Sequence, residues 1–220
     1  MFAVAVGLTA VLARGEIELP EGYEALDGIA STEGGKQYIC TDYVPSSCNV
    51  KIEATVTLTK WGTQGIWCSR KGATEETLTL FCWAEGSYFR IDRNKNSNTY
   101  AGTKVSLKEK VTLVADYKKC TFTAGETESK NKMSAGDFTP TANLAFFASH
   151  SNGTGWGNYA VMTIHDVKVY DADGNLECEF VPVRCAANAG KATEYGLLEV
   201  VRSEKKYFST PGTTAFDPVR

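Results

Sequence analysis

The sequence has 220 residues and a formal net charge of −3, with 23 basic and 26 acidic side chains. A hydrophobic fraction of 43% and a charged fraction of 22% are typical of a globular domain that buries a core without help from disulfides or metals. This charge balance gives no electrostatic reason to expect a nucleic-acid partner. We expect one domain over residues 22–220, preceded by a lead-in over residues 14–21.

The sequence begins with the apolar and small residues MFAVAVGLTAVLA. A run of about a dozen such residues fits the core of a signal peptide and is too short to span a bilayer. Val11-Leu12-Ala13 is an acceptable cleavage site, although no basic residue precedes the run. Residues 1–13 therefore predict a truncated signal peptide, and a secreted or cell-surface protein without stable membrane insertion. A buried N-terminal strand is the alternative.

Alternation of apolar and polar residues with a period of two dominates the rest of the chain. In KIEATVTLT, Ile52, Ala54, Val56 and Leu58 face one way, and the polar residues between them face the other. This pattern is typical of a strand with one buried and one solvated face. Similar runs follow, with turn signals between them: GIWCSR, TLTLFCWA, SYFRID, KVTLVADY, CTFTA, ANLAFFAS, YAVMTIHDVKVY and LECEFVPV. Because no stretch has a convincing helical period, these short strands predict an all-β sandwich or barrel.

The cysteines do not have the spacing of a zinc site. No C-x-x-C occurs, and neither His150 nor His165 stands at ligand spacing from a cysteine pair. In an exported protein, some of these cysteines could form disulfides. The candidate pairs are Cys68 with Cys82, Cys178 with Cys185, and Cys40 with Cys48. The alternative is that most of the cysteines are small apolar residues of the core.

The segment DADGNLE resembles half of a calcium-binding loop. Asp171, Asp173 and Asn175 supply oxygen atoms at alternate positions, but the complete EF-hand pattern is absent. Asp173-Gly174 between two alternating runs is also a strong hairpin signal. We therefore predict a turn here and no cofactor, with calcium binding as the alternative.

The motifs of familiar catalytic sites are absent from the sequence. It contains no G-x-S-x-G elbow, no glycine-rich phosphate loop, no H-E-x-x-H, and no E-x-D-x-E that would supply the two carboxylates of a glycosidase. Glu177 and Glu179 share a strand face, but within a charge alternation that is typical of an exposed strand. We predict that the protein is not an enzyme.

Aromatic residues beside polar ones predict a ligand-binding surface. It comprises Trp83, Tyr88, Arg90 and Asp92 on two successive strands, and Trp156 and Asn158 in the glycine-rich loop HSNGTGWGNY. Sugar rings stack their C–H faces on aromatic side chains, while Asn, Asp and Arg form hydrogen bonds with sugar hydroxyls. The alternative is that these aromatic residues fill the core of a two-layer sandwich and its covering loops.

Several longer stretches, taken together, resemble one family. They are YEALDGIASTEGGKQYICTDYVPSSCNVKIEA, GIWCSRKGATEETLTLF, LAFFASHSNGTGWGNYAVMTIHDVKVYDADGNLECEFVPVR and YGLLEVVRSEKKYFSTPGTTAF. Their order and spacing resemble the LamG-type jelly-roll domains of the concanavalin A-like lectin/glucanase superfamily, which occur in bacterial surface and phage-associated proteins. The chain departs from this family at Cys40 and Asp42, where Asp and Gly are usual.

This resemblance implies a two-sheet antiparallel jelly-roll sandwich whose terminal strands pair, and a carbohydrate-binding or adhesive role outside the cell. The fold does not determine the role, because it hosts enzymes and structural modules as well. We expect a non-catalytic module with a glycan or cell-surface polymer as its partner. The alternatives are a structural module that binds another protein and a divergent glycoside hydrolase.

Overall fold

The computed structural model describes residues 17–72, 75–83, 88–94, 96–100, 105–130, 136–151 and 154–220. The predicted signal peptide at residues 1–13 and the start of the lead-in lie outside this part of the chain. The described residues form nineteen strands and a 3-10 turn at Ala186–Asn188, without an α-helix. The all-β fold class predicted from the sequence is therefore confirmed. In the same residues, no helix has the length and apolarity needed to cross a membrane.

The strands form two large sheets and one small one. Sheet A contains β1 (Tyr23–Ala25), β2 (Gly28–Ala30), β4 (Lys51–Leu58), β9 (Lys110–Asp116), β10 (Thr121–Ala124), β11 (Thr127–Lys130), β15 (Met162–Tyr170), β16 (Leu176–Cys185), β17 (Tyr195–Glu199), β18 (Tyr207–Ser209) and β19 (Asp217–Val219). Sheet B contains β3 (Ile39–Cys40), β5 (Gln64–Arg70), β6 (Thr77–Trp83), β7 (Tyr88–Arg93), β8 (Asn96–Tyr100) and β12 (Ala145–Phe146). A separate hairpin contains β13 (Ser149–Ser151) and β14 (Thr154–Gly157).

The pairing of the strands is that of a jelly roll. The main path of sheet A runs β11-β10-β9-β4-β15-β16-β17-β18, and sheet B runs β3-β12-β5-β6-β7-β8. All of these neighbours are antiparallel. Near the N-terminus, β2 pairs with both β15 and the last strand, β19. The terminal strands therefore pair, as the family resemblance implied.

The hydrophobic core lies between sheets A and B. Alternate residues of β4 are buried, from Ile52 to Leu58, and belong to the same cluster as apolar residues of β5, β6 and β7. Trp67 and Tyr117 are also buried there, and the indole Nε1 of Trp67 donates to the hydroxyl of Tyr117 at 3.0 Å. Large rings can be buried in this core because their polar atoms find partners.

Sheet B has a second face, which points away from the core and which we call the outer face. In β7, Phe89 and Ile91 point into the core, so Tyr88, Arg90 and Asp92 lie on the outer face. The sequence alternation predicted this division.

The run ANLAFFAS at residues 142–149 was predicted to be one strand, but in the structure it is interrupted at Phe147, whose φ is +67°. This left-handed residue separates β12 from β13 and redirects the chain.

The three candidate disulfides are wrong, because all seven cysteines are free thiols. The members of each pair lie on different sides of a sheet, so their sulfur atoms point apart. Cys82 packs in the core, whereas Cys68 is on the outer face of sheet B. The same holds for Cys48 in the core and Cys40 on the outer face, and for Cys178 in the core and Cys185 beside Tyr23 and Tyr207.

Candidate functional site

A row of aligned residues crosses the outer face of sheet B. Strand register aligns Cys40 with Ala145, Ala145 with Cys68, Cys68 with Thr79, and Thr79 with Asp92. Aligned residues on antiparallel strands point to the same side, so these five side chains share the outer face. The row joins two groups of aromatic residues, one at each side of the sheet.

The first group is built around Trp83, which pairs in register with Tyr88. Arg90 donates from Nε to Oδ1 of Asp92 at 2.8 Å and from Nη2 to Oδ2 at 3.2 Å. The same guanidinium lies 4.9 Å from the centroid of the Trp83 ring. The structure therefore brings four of the sequence-predicted residues together on one face. Because the ion pair is bidentate, it presents donors and an acceptor in a defined geometry beside an aromatic ring.

The second group is a stack of aromatic rings at the other side of sheet B. Tyr38 and Trp156 have centroids 3.8 Å apart and planes inclined by only 20°. Tyr159 lies 6.5 Å from Tyr38, and its hydroxyl donates to the carbonyl oxygen of Trp156 at 3.3 Å. All three rings are half-buried. We call Tyr38, Trp156 and Tyr159 the aromatic platform.

His150 connects this platform to the row of aligned residues. Its side chain is buried, and its ring centroid is 4.6 Å from that of Trp156. The thiol of Cys68 donates to the carbonyl oxygen of His150 at 3.8 Å. Burial raises the pKa of this thiol to about 12, so Cys68 is a neutral donor at physiological pH. The platform therefore lies on the side of sheet B to which Cys68 points.

The hairpin that carries Trp156 is positioned by a close backbone approach. A Cβ on Gly65 would lie 2.7 Å from the carbonyl carbon of Ala148 and 2.8 Å from the nitrogen of Ser149, so only glycine fits at this point of β5. In the hairpin itself, Gly155 has φ +60°. Trp156 was predicted to lie in a loop, and the structure instead shows it in strand β14. Residues 152 and 153 of that segment lie outside the described part of the chain.

Asn158 differs from the other predicted residues because its side chain supports the hairpin. Its φ is +49°, and its carbonyl oxygen accepts from the nitrogen of Gly65 at 2.7 Å. Its side-chain nitrogen donates to Oγ of Ser149 at 3.0 Å. These contacts fix the base of the hairpin, and they do not link Asn158 to the rings of the platform.

Sequence reasoning missed four residues of this face, one of which is Arg70, two positions after Cys68 on β5. Tyr38 and Tyr159 were noted only within the family resemblance, His150 only as a possible zinc ligand, and Arg70 only in a hairpin motif. The alternation around Ile39, which is buried, was the available signal that Tyr38 points outward. No local pattern indicates that Tyr38 meets Trp156.

The segment at Asp171 forms the predicted turn. Its Oδ1 accepts from the nitrogens of Asp173 and Asn175, both at 2.8 Å, and its Oδ2 accepts from the side chain of Asn175. Gly174 has φ +91°, which suits a tight hairpin. Among the described residues, no three His, Cys, Asp or Glu side chains are grouped in a way that could hold a metal ion.

Two solved structures have a similar backbone. The native heptameric SAP-like pentraxin of Limulus polyphemus aligns with 90% of this chain over 94% of its own, at a TM-score of 0.54 and 9% identity. A protein from Bacteroides ovatus ATCC 8483, described as a candidate carbohydrate-binding protein, aligns with 90% of this chain at a TM-score of 0.53 and 12% identity. This chain spans 62% of the length of that second protein.

The chain has an antiparallel two-sheet jelly-roll fold, and its place in the concanavalin A-like superfamily stays a prediction. At these identities the likeness shows the fold alone, so the LamG-type branch and the association with phage stay predictions. Neither a family model nor a curated protein matches the sequence.

Proposed function

We propose that the protein is a non-catalytic carbohydrate-binding module that acts outside the cell or at its surface. The observation that carries this proposal is the stacked pair Tyr38 and Trp156 on the same face of sheet B as the group formed by Trp83, Arg90 and Asp92. Aromatic rings at two positions along one face suit an extended oligosaccharide better than a single small molecule.

The two groups offer the contacts that a sugar requires. The rings provide flat apolar surfaces for the C–H faces of a pyranose, and half-buried rings retain area for such contact. Arg90 supplies donors for sugar hydroxyls, and the buried carboxylate of Asp92 holds the guanidinium in place. Because these side chains already hold each other in a bidentate pair, little side-chain entropy is lost when a ligand binds.

The fold supports the same proposal by analogy. The Bacteroides ovatus protein with this fold is described as a candidate carbohydrate-binding protein, although a shared fold does not by itself carry a function. A binding role rather than hydrolysis is supported by the outer face itself. Its carboxylate Asp92 is paired with Arg90, which does not suit a free general acid or nucleophile.

The proposal is tested by binding to an array of glycans at neutral pH, followed by titration calorimetry with the best ligand. We expect Trp156→Ala and Trp83→Ala each to weaken binding by about tenfold or more, because an aromatic contact contributes on the order of 1 kcal/mol beyond its buried area. Tyr170→Ala is the matched control, since Tyr170 is a half-buried ring on sheet A under the ammonium of Lys51. Its affinity should equal that of the wild type.

The proposal would be contradicted if no glycan bound to the protein. It would also be contradicted if Trp156→Ala and Trp83→Ala bound the glycan as tightly as the control Tyr170→Ala. Circular dichroism of each variant distinguishes lost contacts from lost folding. The alternative of a protein-binding module would be favoured if a protein partner bound without any sugar affinity. The exposed apolar residues Val44, Leu176 and Val201 are the first to substitute in that case.

A further inference from the structure

His150 supports the aromatic platform from inside the protein. Only 2% of its surface is exposed, and its ring is inclined by 44° to that of Trp156 at a centroid distance of 4.6 Å. Trp156 therefore contacts two rings, those of Tyr38 and His150. The position of Trp156 depends on both contacts, because this residue is held in a short hairpin rather than in a long strand.

The surroundings of His150 favour its uncharged form. Burial is the main cause that lowers the pKa of the imidazole below its ordinary value, and the positive charge of Arg70 on β5 lowers it further. Hydrogen bonds with the backbones of Asn143 and Cys68 act in the opposite direction. Protonation would place a second cation beside Arg70 in a site that excludes water, which is costly in free energy.

The other ionisable groups around this site lie on the neighbouring elements. Cys40 on β3 and Asp92 on β7 both act electrostatically on Cys68, whose thiol contacts the backbone of His150. Tyr38 and Tyr159 flank Trp156 on the outside, and burial raises the pKa of Tyr38. Because the pKa values of Tyr38, Cys40 and Cys68 are all raised, these groups stay neutral at pH values where an imidazole titrates, and His150 is the group among them that changes charge.

We propose that His150 makes the platform sensitive to pH: the neutral imidazole holds Trp156 against Tyr38, and protonation of the ring disrupts this stack and weakens sugar binding. This inference rests on the proposed function, because it concerns the regulation of the same site. Sugar binds well at neutral pH and is released in a mildly acidic environment. By thermodynamic linkage, a bound sugar also makes protonation of His150 less favourable.

The first test needs no ligand. The chain has two histidines, so two imidazole resonances are followed by NMR between pH 8 and pH 4.5 and assigned with His150→Gln and His165→Gln. We expect His150 to titrate below its ordinary value of 6.5 and the near-UV circular dichroism of the stacked rings to change over the same pH range. Trp156→Phe should remove most of that spectral change. A spectrum that stays constant while His150 titrates would overturn the inference.

The second test measures binding of the best array glycan at pH 7.5 and pH 5. A bound sugar that lowers the imidazole pKa by one unit weakens binding by at most about tenfold, and only at pH values well below the pKa of both states. In the wild-type protein we therefore expect binding to be a few-fold weaker at pH 5 than at pH 7.5. His150→Gln keeps a polar side chain that does not titrate, and its affinity should be nearly the same at both pH values. His150→Phe is a second non-titrating variant in case the first does not fold.

His165→Gln is the matched control for this experiment. His165 is also buried and its pKa is also lowered, but it lies in sheet A, where it contacts Thr57 and Asp27 instead of the platform. This variant should keep the pH dependence of binding. Strong binding that is equal at both pH values in the wild type overturns the inference and leaves the proposed function standing. Absence of sugar binding even at neutral pH overturns the proposed function and the regulated binding with it.

Discussion

The guanidinium of Arg93 is buried, yet it donates to Oδ1 of the exposed Asp137 at 2.6 Å. The same Nη2 also donates to Sγ of Cys48 at 3.2 Å and to Oδ1 of Asn49 at 2.9 Å. Arg93 closes β7 in sheet B, whereas Cys48 and Asn49 precede β4 in sheet A. A single buried cation therefore connects the two sheets with the segment at Asp137, and it lowers the pKa of the Asp137 carboxyl.

Arg93→Ala should lower the free energy of unfolding by about 3 kcal/mol, because a buried network loses its central donor. Urea denaturation at pH 7 measures this change. Arg184→Ala is the control, since Arg184 forms ion pairs with Glu24 and Glu194 at the surface and should have little effect. Equal losses in the two variants would contradict the role given to Arg93.

Gly65→Ala should lower stability by about 1–3 kcal/mol, because its Cβ would overlap the backbone of Ala148 and Ser149. The hairpin with Trp156 packs on this contact, so the same variant should also weaken glycan binding. Gly157→Ala is the matched control in that hairpin, where a Cβ meets no atom within 4 Å. Thermal unfolding compares the two variants, and a fully stable Gly65→Ala protein would contradict the close approach.

The cysteines should behave as seven free thiols in the unfolded protein. Alkylation in denaturant without reductant, followed by mass spectrometry, should modify all seven, and any shortfall would indicate a disulfide. In the folded protein the half-buried Cys40 and Cys120 should react first. Cys68, Cys82 and Cys178 should react last, because burial raises the pKa of all three thiols, to about 12 in Cys68 and about 11 in Cys82.

The protein should be less stable at pH 5.5 than at pH 7.5. The pKa of His150 and that of His165 are both lowered by burial, so the unfolded chain binds more protons than the folded one below the ordinary value of 6.5. Stability is therefore complete above that value and is lost as the pH falls through it. Urea titrations at the two pH values check this. If the stability of the double variant His150→Gln/His165→Gln depended on pH as that of the wild type does, groups other than these histidines would cause the effect.

Asp171→Ala should lower the melting temperature by the same amount in calcium and in EDTA. The Asp171 carboxylate accepts hydrogen bonds from Asp173 and Asn175, so the substitution removes turn contacts rather than metal ligands. The wild-type protein should likewise melt at one temperature in both buffers. A clear rise of the wild-type melting temperature with calcium, lost in Asp171→Ala, would support the calcium alternative.

Much of the fold could be predicted because strand alternation is local. A period of two is enough to assign Phe89 and Ile91 to the core and Arg90 and Asp92 to the other face, and the structure confirms this division. The same alternation of side chains between the two faces of a sheet explains why the predicted disulfides do not form. Cys68 and Cys82 flank a turn at similar distances in sequence, but their positions in the alternation place them on opposite faces.

The sequence predicted that Trp156 and Asn158 both contribute to the site from a loop, and this was only partly correct. Trp156 lies in the platform, whereas Asn158 supports the hairpin through Ser149 and Gly65. The difference depends on left-handed backbone at Asn158 and Phe147, which redirects the chain at each end of the hairpin. An asparagine in a glycine-rich loop is compatible with either role, so composition alone could not decide between them.

Alternation along the sequence was enough to predict the all-β class, the core face of most strands and the shared face of Tyr88, Arg90 and Asp92, because those properties follow from residues two apart on one strand. Trp83 joins this face through the register of β6 with β7. The contacts of Trp156 with Tyr38 and His150 depend instead on tertiary packing. Their contact requires β3 and β12 to pair beside β5 and the chain to turn at Phe147. Such pairing depends on the packing of whole sheets, and no local periodicity encodes it.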